Sequence, residues 1–196
     1  MATQANVALG FKPRTGWAAV VALGGSPETP EIVGKTRIDL ATTFEEGAVF
    51  HMAQEMPLER ARVFVRDAEA RFAELAREKL AAFETELKAK ISAAGVVAPP
   101  AKALPPLEAI LKSHPRVHAA EGELYRRVFE KASTALRLRC QRVDIDALTP
   151  RVAAALRRSP AAIATRLAAI GKASGRPWTA DQKQAALVAW IALLDD

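Results

Sequence analysis

Residues 7–40 read VALGFKPRTGWAAVVALGGSPETPEIVGKTRIDL, and this stretch decides the fold. A short apolar run at 7–9 comes first, and the nearly continuous apolar run at 16–23 is typical of a strand that is buried on both faces. The segment GGSPETP at 24–30 is rich in turn-forming residues. Residues 31–40 alternate loosely between apolar and polar. The stretch therefore predicts three antiparallel strands, with a tight hairpin between the last two.

Two long helices and two further strands are predicted after this stretch. From 57 to 91, apolar residues recur at three- and four-residue steps, which places them in one stripe on a helix. Residues 94–98 suit a short core strand, and the proline-rich segment 98–106 suits a loop. A second long helix is predicted from Ser113 to about Leu138, and residues 138–145 alternate as a fifth strand.

The end of the chain is predicted to be helical. Thr149-Pro150 and Ser159-Pro160 are both typical helix starts, and Thr179 with Gln182 has the spacing of a capping box. The element order is therefore β-β-β-α-β-α-β-α, which is that of a ribonuclease H-like mixed sheet. We expect residues 1–148 to form this α/β core with its long helices, and residues 149–196 to form a helical C-terminal portion that packs on it as one structural unit.

Composition and cysteine content indicate the compartment. The 196 residues are 50% hydrophobic and 26% charged, which is ordinary for a globular protein. No apolar run reaches the roughly 18–20 residues that a membrane span needs, and the N-terminal residues lack the pattern of a secretion signal. Cys140 is the single cysteine and can form no intramolecular disulfide, which fits a reducing environment. The sequence therefore predicts a cytoplasmic protein without a membrane partner.

The net charge of +6 is unevenly distributed. Residues 1–123 contain 15 basic and 16 acidic residues, whereas residues 124–196 contain 13 and 6. Such an asymmetry is typical of a surface for phosphates or acidic partners. It fits equally well an alanine- and arginine-rich composition without a binding role. The arginines behind the excess are Arg126, Arg127, Arg137, Arg139, Arg142, Arg157, Arg158 and Arg166.

One polar cluster has the spacing of a site. In the stretch that begins at Ser113, positions 114, 118, 121 and 125 lie on one face of a helix. The pair His114 and His118 can chelate a transition metal, with Glu121 completing the site or acting as a general base. The HExxH pattern is absent, so the metalloprotease class has no support. The same residues also fit a structural role, in which His118 is hydrogen-bonded in the core and Glu121 pairs with an arginine.

Two short stretches resemble a known family. Residues 7–18, VALGFKPRTGWA, resemble the first hairpin of the RuvC-type Holliday-junction resolvases, in which an acid-Pro-Gly … Thr-Gly-Trp/Tyr pattern begins the fold. Residues 181–187, DQKQAAL, are similar to the acid-rich start of the last helix in that family. The resemblance implies an aspartate near positions 8–10, where this chain has Ala8, Leu9 and Gly10.

The resemblance also implies a second interpretation of Glu121. It would follow a strand at 117–120 and be the second acid of a resolvase-type site, with Asp181 as its partner. Clustered carboxylates of this kind hold Mg²⁺ or Mn²⁺ in nucleases, so Glu121 and Asp181 are the implied metal ligands. Asp181 equally fits a helix N-terminus, where acids are favoured. The predicted contacts to nucleic-acid phosphates are Lys12, Arg14, Arg126 and Arg127.

The chain is also similar to a group of bacterial proteins. They share a Gly-Trp-Ala hairpin, a Ser-His … His-x-Ala-Glu-Gly-Glu-Leu-Tyr-Arg stretch and a Pro-Trp … Asp-Gln-Lys ending. These features lie here at 16–18, 113–126 and 177–183. This likeness implies no activity.

The leading hypothesis is a nucleic-acid-associated protein with a degenerate nuclease-like site. It would bind DNA or RNA through its arginines, and any catalysis would centre on Glu121, with His118, His114 and Asp181 as accessory groups. One alternative is a non-catalytic interaction or scaffold protein, for which a homodimer is one arrangement. Another is a small hydrolase at the histidine and glutamate cluster. A nuclease requires the four predicted catalytic residues to converge in one cleft.

Overall fold

The stretch that opens the chain forms three strands in the computed structural model, which describes residues 7–195. β1 is Val7–Arg14, β2 is Trp17–Ser26 and β3 is Thr29–Asp39, each antiparallel to the next. β2 is an inner strand because its uninterrupted apolar residues are buried on both faces of the sheet. Gly16, whose φ is 78°, allows the two-residue turn between β1 and β2.

The remaining strands complete a five-stranded mixed sheet. β4 (Ile91–Val97) is parallel to β1, and β5 (Arg139–Val143) is parallel to β4. The strand order is β3-β2-β1-β4-β5, which confirms the predicted mixed α/β architecture. The helices are α1 (Phe44–Gly47), α2 (Val49–Ala53), α3 (Leu58–Leu87), α4 (Leu107–Leu111), α5 (His114–Ala135), α6 (Leu148–Ala155), α7 (Pro160–Ala173) and α8 (Ala180–Leu194).

Helices cover both faces of the sheet. α3 and α5 pack on one face, where Phe11 of β1 stacks on Phe129 with 5.1 Å between the ring centroids. α6, α7 and α8 form a second core on the opposite face, which includes Trp190. Successive residues of β1 alternate between the two cores, so Leu9 belongs to the first and Ala8 to the second.

Two glycines let α8 lie directly against the centre of the sheet. Gly10 of β1 and Gly95 of β4 are register partners on neighbouring strands. A Cβ atom on Gly10 would lie 1.8 Å from the carbonyl oxygen of Ala185, and a Cβ atom on Gly95 would lie 2.6 Å from the side chain of Val188. α8 therefore packs against the centre of the sheet, on the face opposite α3 and α5.

The structure corrects several details of the sequence prediction. The long helix ends at Leu87 instead of 91, and β4 begins at Ile91 instead of 94. β1 continues to Arg14 instead of ending at residue 9. β4 pairs with β1 only as far as Phe11, so Pro13 lies where one side of the strand is open and its missing N–H is tolerated. The strand proposed at 117–120 is wrong, because these residues lie within α5. α1 and α2 were not predicted. No helix in residues 7–195 is long and apolar enough to cross a membrane.

Candidate functional site

The polar face of α5 contacts one short segment, residues 47–51, where α1 is followed by α2. Tyr125 donates its hydroxyl hydrogen to the carbonyl oxygen of Gly47 at 2.6 Å. One turn earlier, the carboxylate of Glu121 accepts hydrogen bonds from the backbone N–H groups of Val49 and Phe50, each at 3.0 Å. The helical spacing of the α5 residues therefore brings them against a segment whose sequence shows no periodic pattern.

Glu121 is held in a buried and well-defined position. Its side chain is only 2% exposed, and its Oε2 atom lies 3.1 Å from Nδ1 of His51. Burial raises the pKa of the Glu121 carboxyl, and the hydrogen bonds from His51 and Phe50 act in the opposite direction. These contacts orient the ring of His51, and they leave the carboxylate enclosed by its own chain.

All three histidines of the chain lie next to one another, and one of them, His51, contacts Glu121. The Nε2 atoms of His114 and His118 are 2.9 Å apart, and the ring centroid of His51 lies 4.7 Å from that of His118. One nitrogen from each ring lies within 4.8 Å of the other two. Partial desolvation lowers the pKa of His118, and the neighbouring His114 and His51 lower it further. Sequence reasoning paired His114 with His118 but missed His51. The only signal for it was that a chain with three histidines had one unassigned.

Asp181 lies in a different environment, at the start of α8. It receives two hydrogen bonds from the guanidinium group of Arg14, at 2.7 Å and 3.2 Å, in a bidentate pair. Lys12 precedes Arg14 on the same strand. Burial lowers the pKa of Lys12, the charge of Arg14 and more weakly that of Arg126 lower it further, and Asp181 partly offsets them. Lys12, Arg14, Arg126 and Asp181 thus form one electrostatic group, the strand-end cluster.

The structure divides the four predicted catalytic residues between two places. His114 and His118 lie together with His51, which contacts Glu121, whereas Asp181 belongs to the strand-end cluster. In residues 7–195, the group of three or more potential ligands that lie within 4.8 Å of one another consists of the three histidines. Glu121 and Asp181, the implied metal ligands, are therefore not placed in a common group of carboxylates.

Several of the arginines in the basic excess are internal partners of acids. Arg142 of β5 contacts Glu123 and Glu130 of α5, and its side chain is only 15% exposed. Arg127 contacts Glu69 of α3 at 2.8 Å. Of the four predicted phosphate contacts, Arg127 is thus engaged between two helices, and Arg126 contacts Glu123 at 3.5 Å within α5. Lys12, Arg14 and Arg126 belong to the strand-end cluster. Arg127 and Arg142 of the basic excess therefore serve as ion-pair partners within the protein.

The fold defines a ribonuclease H-like α/β protein, and solved structures of that class match it. The first is Thermus thermophilus RuvC in complex with a Holliday junction substrate, with a TM-score of 0.54 and 10% sequence identity over 94% of this chain and 90% of that chain. The second is the Thermus thermophilus RuvC structure, with a TM-score of 0.50 and 10% identity over 94% and 91% of the two chains. No family model matches the chain, and no match is found among curated proteins. The likeness to RuvC confirms the ribonuclease H-like fold.

Proposed function

We propose that this protein binds nucleic acid through the strand-end cluster and does not cleave it by a carboxylate-held metal. The observation that carries the proposal is the position of Lys12. It lies on β1 within electrostatic range of Arg14, Arg126 and Asp181, and Arg14 contacts Asp181 directly. Arg126 also contacts Glu123 at 3.5 Å, so the cations Lys12, Arg14 and Arg126 outnumber the two acids near them. A surface of this kind attracts a phosphate group.

The place of the cluster in the sheet supports this assignment. In open α/β sheets, ligands bind in the crevice at the carboxyl ends of the strands. Lys12 and Arg14 lie in the carboxyl-terminal half of β1, beyond the last residue that pairs with β4. The start of α8 adds its N-terminal N–H groups near the same edge, because Asp181 reaches Arg14 from there.

The residue types argue for binding without cleavage. Two-metal nucleases need several carboxylates around the ions. The resolvase resemblance implies an aspartate near positions 8–10, and here those residues are Ala8, Leu9 and Gly10. β4 ends in Val97, which is apolar and buried. Positions 8–10 provide no carboxylate for a metal ion, whereas Lys12 and Arg14 further along β1 suit a phosphate.

The structure of RuvC with its substrate indicates which DNA to test first. Thermus thermophilus RuvC was solved with a Holliday junction substrate, so we infer that a four-way DNA junction fits the same side of this fold better than linear duplex does. The test is fluorescence anisotropy with labelled four-way junction, duplex and single-stranded DNA over a series of salt concentrations, with and without Mg²⁺. We expect binding that weakens steeply with salt and does not require Mg²⁺.

A matched pair of variants locates the binding surface. Replacing Lys12, Arg14 and Arg126 with alanine removes the cluster, and each lost phosphate contact reduces the salt slope by about 0.9. The control replaces three exposed cations on the outer face of α3 with alanine and causes the same change in net charge. These control residues are Arg60, Arg66 and Lys79. The proposal would be contradicted if both variants lost the same affinity for the junction, or if the wild-type protein cleaved the junction in Mg²⁺.

A further inference from the structure

We propose that His51, His114 and His118 bind a divalent transition-metal ion of the zinc type, and that Glu121 orients His51 from behind. This site is separate from the strand-end cluster and does not depend on the nucleic-acid proposal. The first observation is convergence. The chain has three histidines, and residues 51 and 114 are far apart in sequence, yet all three rings contact one another.

The geometry of the rings suits a single ion. A zinc ion lies about 2.0–2.1 Å from each histidine nitrogen, so two nitrogens in a tetrahedral site are separated by about 3.3 Å. The Nε2 atoms of His114 and His118 are 2.9 Å apart, and the three candidate ligand atoms all lie within 4.8 Å of one another. Small rotations of exposed side chains are enough to bring these atoms to the required distances.

The second observation is that the carboxylate of Glu121 contacts the ring of His51. Metal-bound histidines usually donate their other ring N–H to a carboxylate, which fixes the ring and increases its basicity. His51 has this arrangement, because its Nδ1 faces Oε2 of Glu121 at 3.1 Å and its Nε2 is left available for a ligand. The backbone N–H groups of Val49 and Phe50 hold Glu121 in turn, so the second ligand shell is already formed.

The fold fixes the two halves of the site relative to each other. His114 and His118 are four residues apart on α5, which places them on the same side of the helix. His51 lies on α2, and the side chain of Gln54 donates to the carbonyl oxygen of Leu111 just before α5, at 2.9 Å. His114 and His118 are exposed, so a bound ion keeps a position open to water.

The donor set selects the type of metal. Imidazole nitrogens suit zinc, copper, nickel and cobalt, whereas Mg²⁺ and Mn²⁺ prefer oxygen ligands. The three histidines therefore favour a transition metal over the Mg²⁺ or Mn²⁺ that the resolvase resemblance implied. Cys140 is no competitor, because burial raises the pKa of its thiol to about 11.

The test is titration of the metal-free full chain, produced without a histidine tag, with Co²⁺ followed by visible absorption, and with Zn²⁺ followed by calorimetry. We expect one equivalent of either ion to bind, with the visible spectrum of a nitrogen-ligated tetrahedral Co²⁺. His118→Ala should lower the affinity at least 10-fold, and Glu121→Gln should lower it 10- to 100-fold through His51. His118 is exposed, so circular dichroism should show that His118→Ala remains folded.

Three outcomes would overturn the metal proposal. They are no stoichiometric binding by the wild-type chain, unchanged binding by His118→Ala, and a sulfur-to-cobalt charge-transfer band that disappears in Cys140→Ala. A mock titration with Mg²⁺ is the control for non-specific binding and should show no saturation. None of these measurements uses nucleic acid, so failure here and failure of the strand-end cluster are distinguishable.

Discussion

Glu121 shows at the scale of one residue how a buried acid organises its surroundings. Its carboxylate is the acceptor for two backbone N–H groups of α2 and the partner of His51. Without that acceptor, the N–H groups of Val49 and Phe50 lie buried and unpaired. We therefore expect Glu121→Ala to reduce the free energy of unfolding by about 2–3 kcal/mol, measured by urea denaturation.

Glu108 provides the control for this prediction. Its carboxylate is exposed on α4 and contacts Lys112, so Glu108→Ala should leave the urea midpoint unchanged. If Glu121→Ala and Glu108→Ala have the same midpoint, Glu121 does not hold α2 against α5.

Arg142 is a second residue whose burial decides its importance. It contacts both Glu123 and Glu130, and all three side chains are largely shielded from water. The hydrogen bonds that Arg142 donates to these acids raise its pKa, so it remains charged. Arg142→Ala leaves the shielded carboxylate of Glu130 without this partner, and Glu123 keeps Arg126 at 3.5 Å. We expect it to reduce the free energy of unfolding by about 2 kcal/mol, measured by urea denaturation.

The comparison for Arg142 is Arg77, which contacts Glu74 at 2.5 Å on the exposed face of α3. Despite its short distance, this pair is solvated, and Arg77→Ala should produce no measurable shift in thermal unfolding. A larger effect at Arg77 than at Arg142 would mean that distance, and not burial, decides the strength of these pairs.

At the scale of elements, the contact between α8 and the sheet depends on Gly10. Its missing Cβ leaves space for the backbone of Ala185, and an alanine there would collide with that backbone at 1.8 Å. The helix cannot yield locally, because Gly95 on β4 is under the same constraint. We expect Gly10→Ala to reduce the free energy of unfolding by about 3 kcal/mol or more, measured by urea denaturation.

Gly122 is the matched control, because it lies within α5 and a Cβ atom there would meet only the flexible end of Arg126 at 3.4 Å. Gly122→Ala should stabilise the protein by about 0.5–1 kcal/mol, since alanine favours the helix. Equal effects at Gly10 and Gly122 would contradict the close approach of α8.

Strong periodicity made the long elements predictable from sequence, and its absence hid the short ones. The stripe from 57 to 91 identified α3, although the helix ends at Leu87 and Ile91 belongs to β4. The uninterrupted apolar run identified β2. α1 and α2 contain only 4 and 5 residues, too few to show a helical period. β1 was predicted from the short apolar run at 7–9 alone, whereas the strand continues through Pro13 to Arg14, where one side of it is open.

The candidate sites depended on tertiary contacts that a linear pattern does not contain. The spacing within α5 correctly placed His114, His118 and Glu121 on one helix face, because that relation is local. The participation of His51 depends on the packing of α2 against α5, and the pairing of Arg14 with Asp181 joins the two ends of the chain. Neither contact leaves a periodic signal in the sequence.

At the scale of the whole molecule, the net charge of +6 favours nucleic-acid binding only where cations are free to contact a phosphate. Arg14 is partly neutralised by Asp181 through two hydrogen bonds. Asp181→Asn removes that negative charge and releases the guanidinium group. We therefore expect it to bind a four-way junction several-fold more tightly, with a salt slope steeper by about 0.9, corresponding to one more phosphate contact.

The opposite end of α8 supplies a charge-matched control. Asp195 contacts Arg151 at 3.3 Å, and α8 has 15 residues, so the two aspartates are separated by about 20 Å along the helix. Asp195→Asn changes the net charge equally but leaves the strand-end cluster intact, so its affinity should stay close to wild type at physiological salt, where charges this distant are screened.

If Asp181→Asn instead loses binding, and the wild type needs Mg²⁺, then Asp181 holds a metal ion and the protein belongs with the metal-dependent nucleases. Tighter binding without Mg²⁺ means that Asp181 opposes the phosphate and that the fold serves for recognition alone.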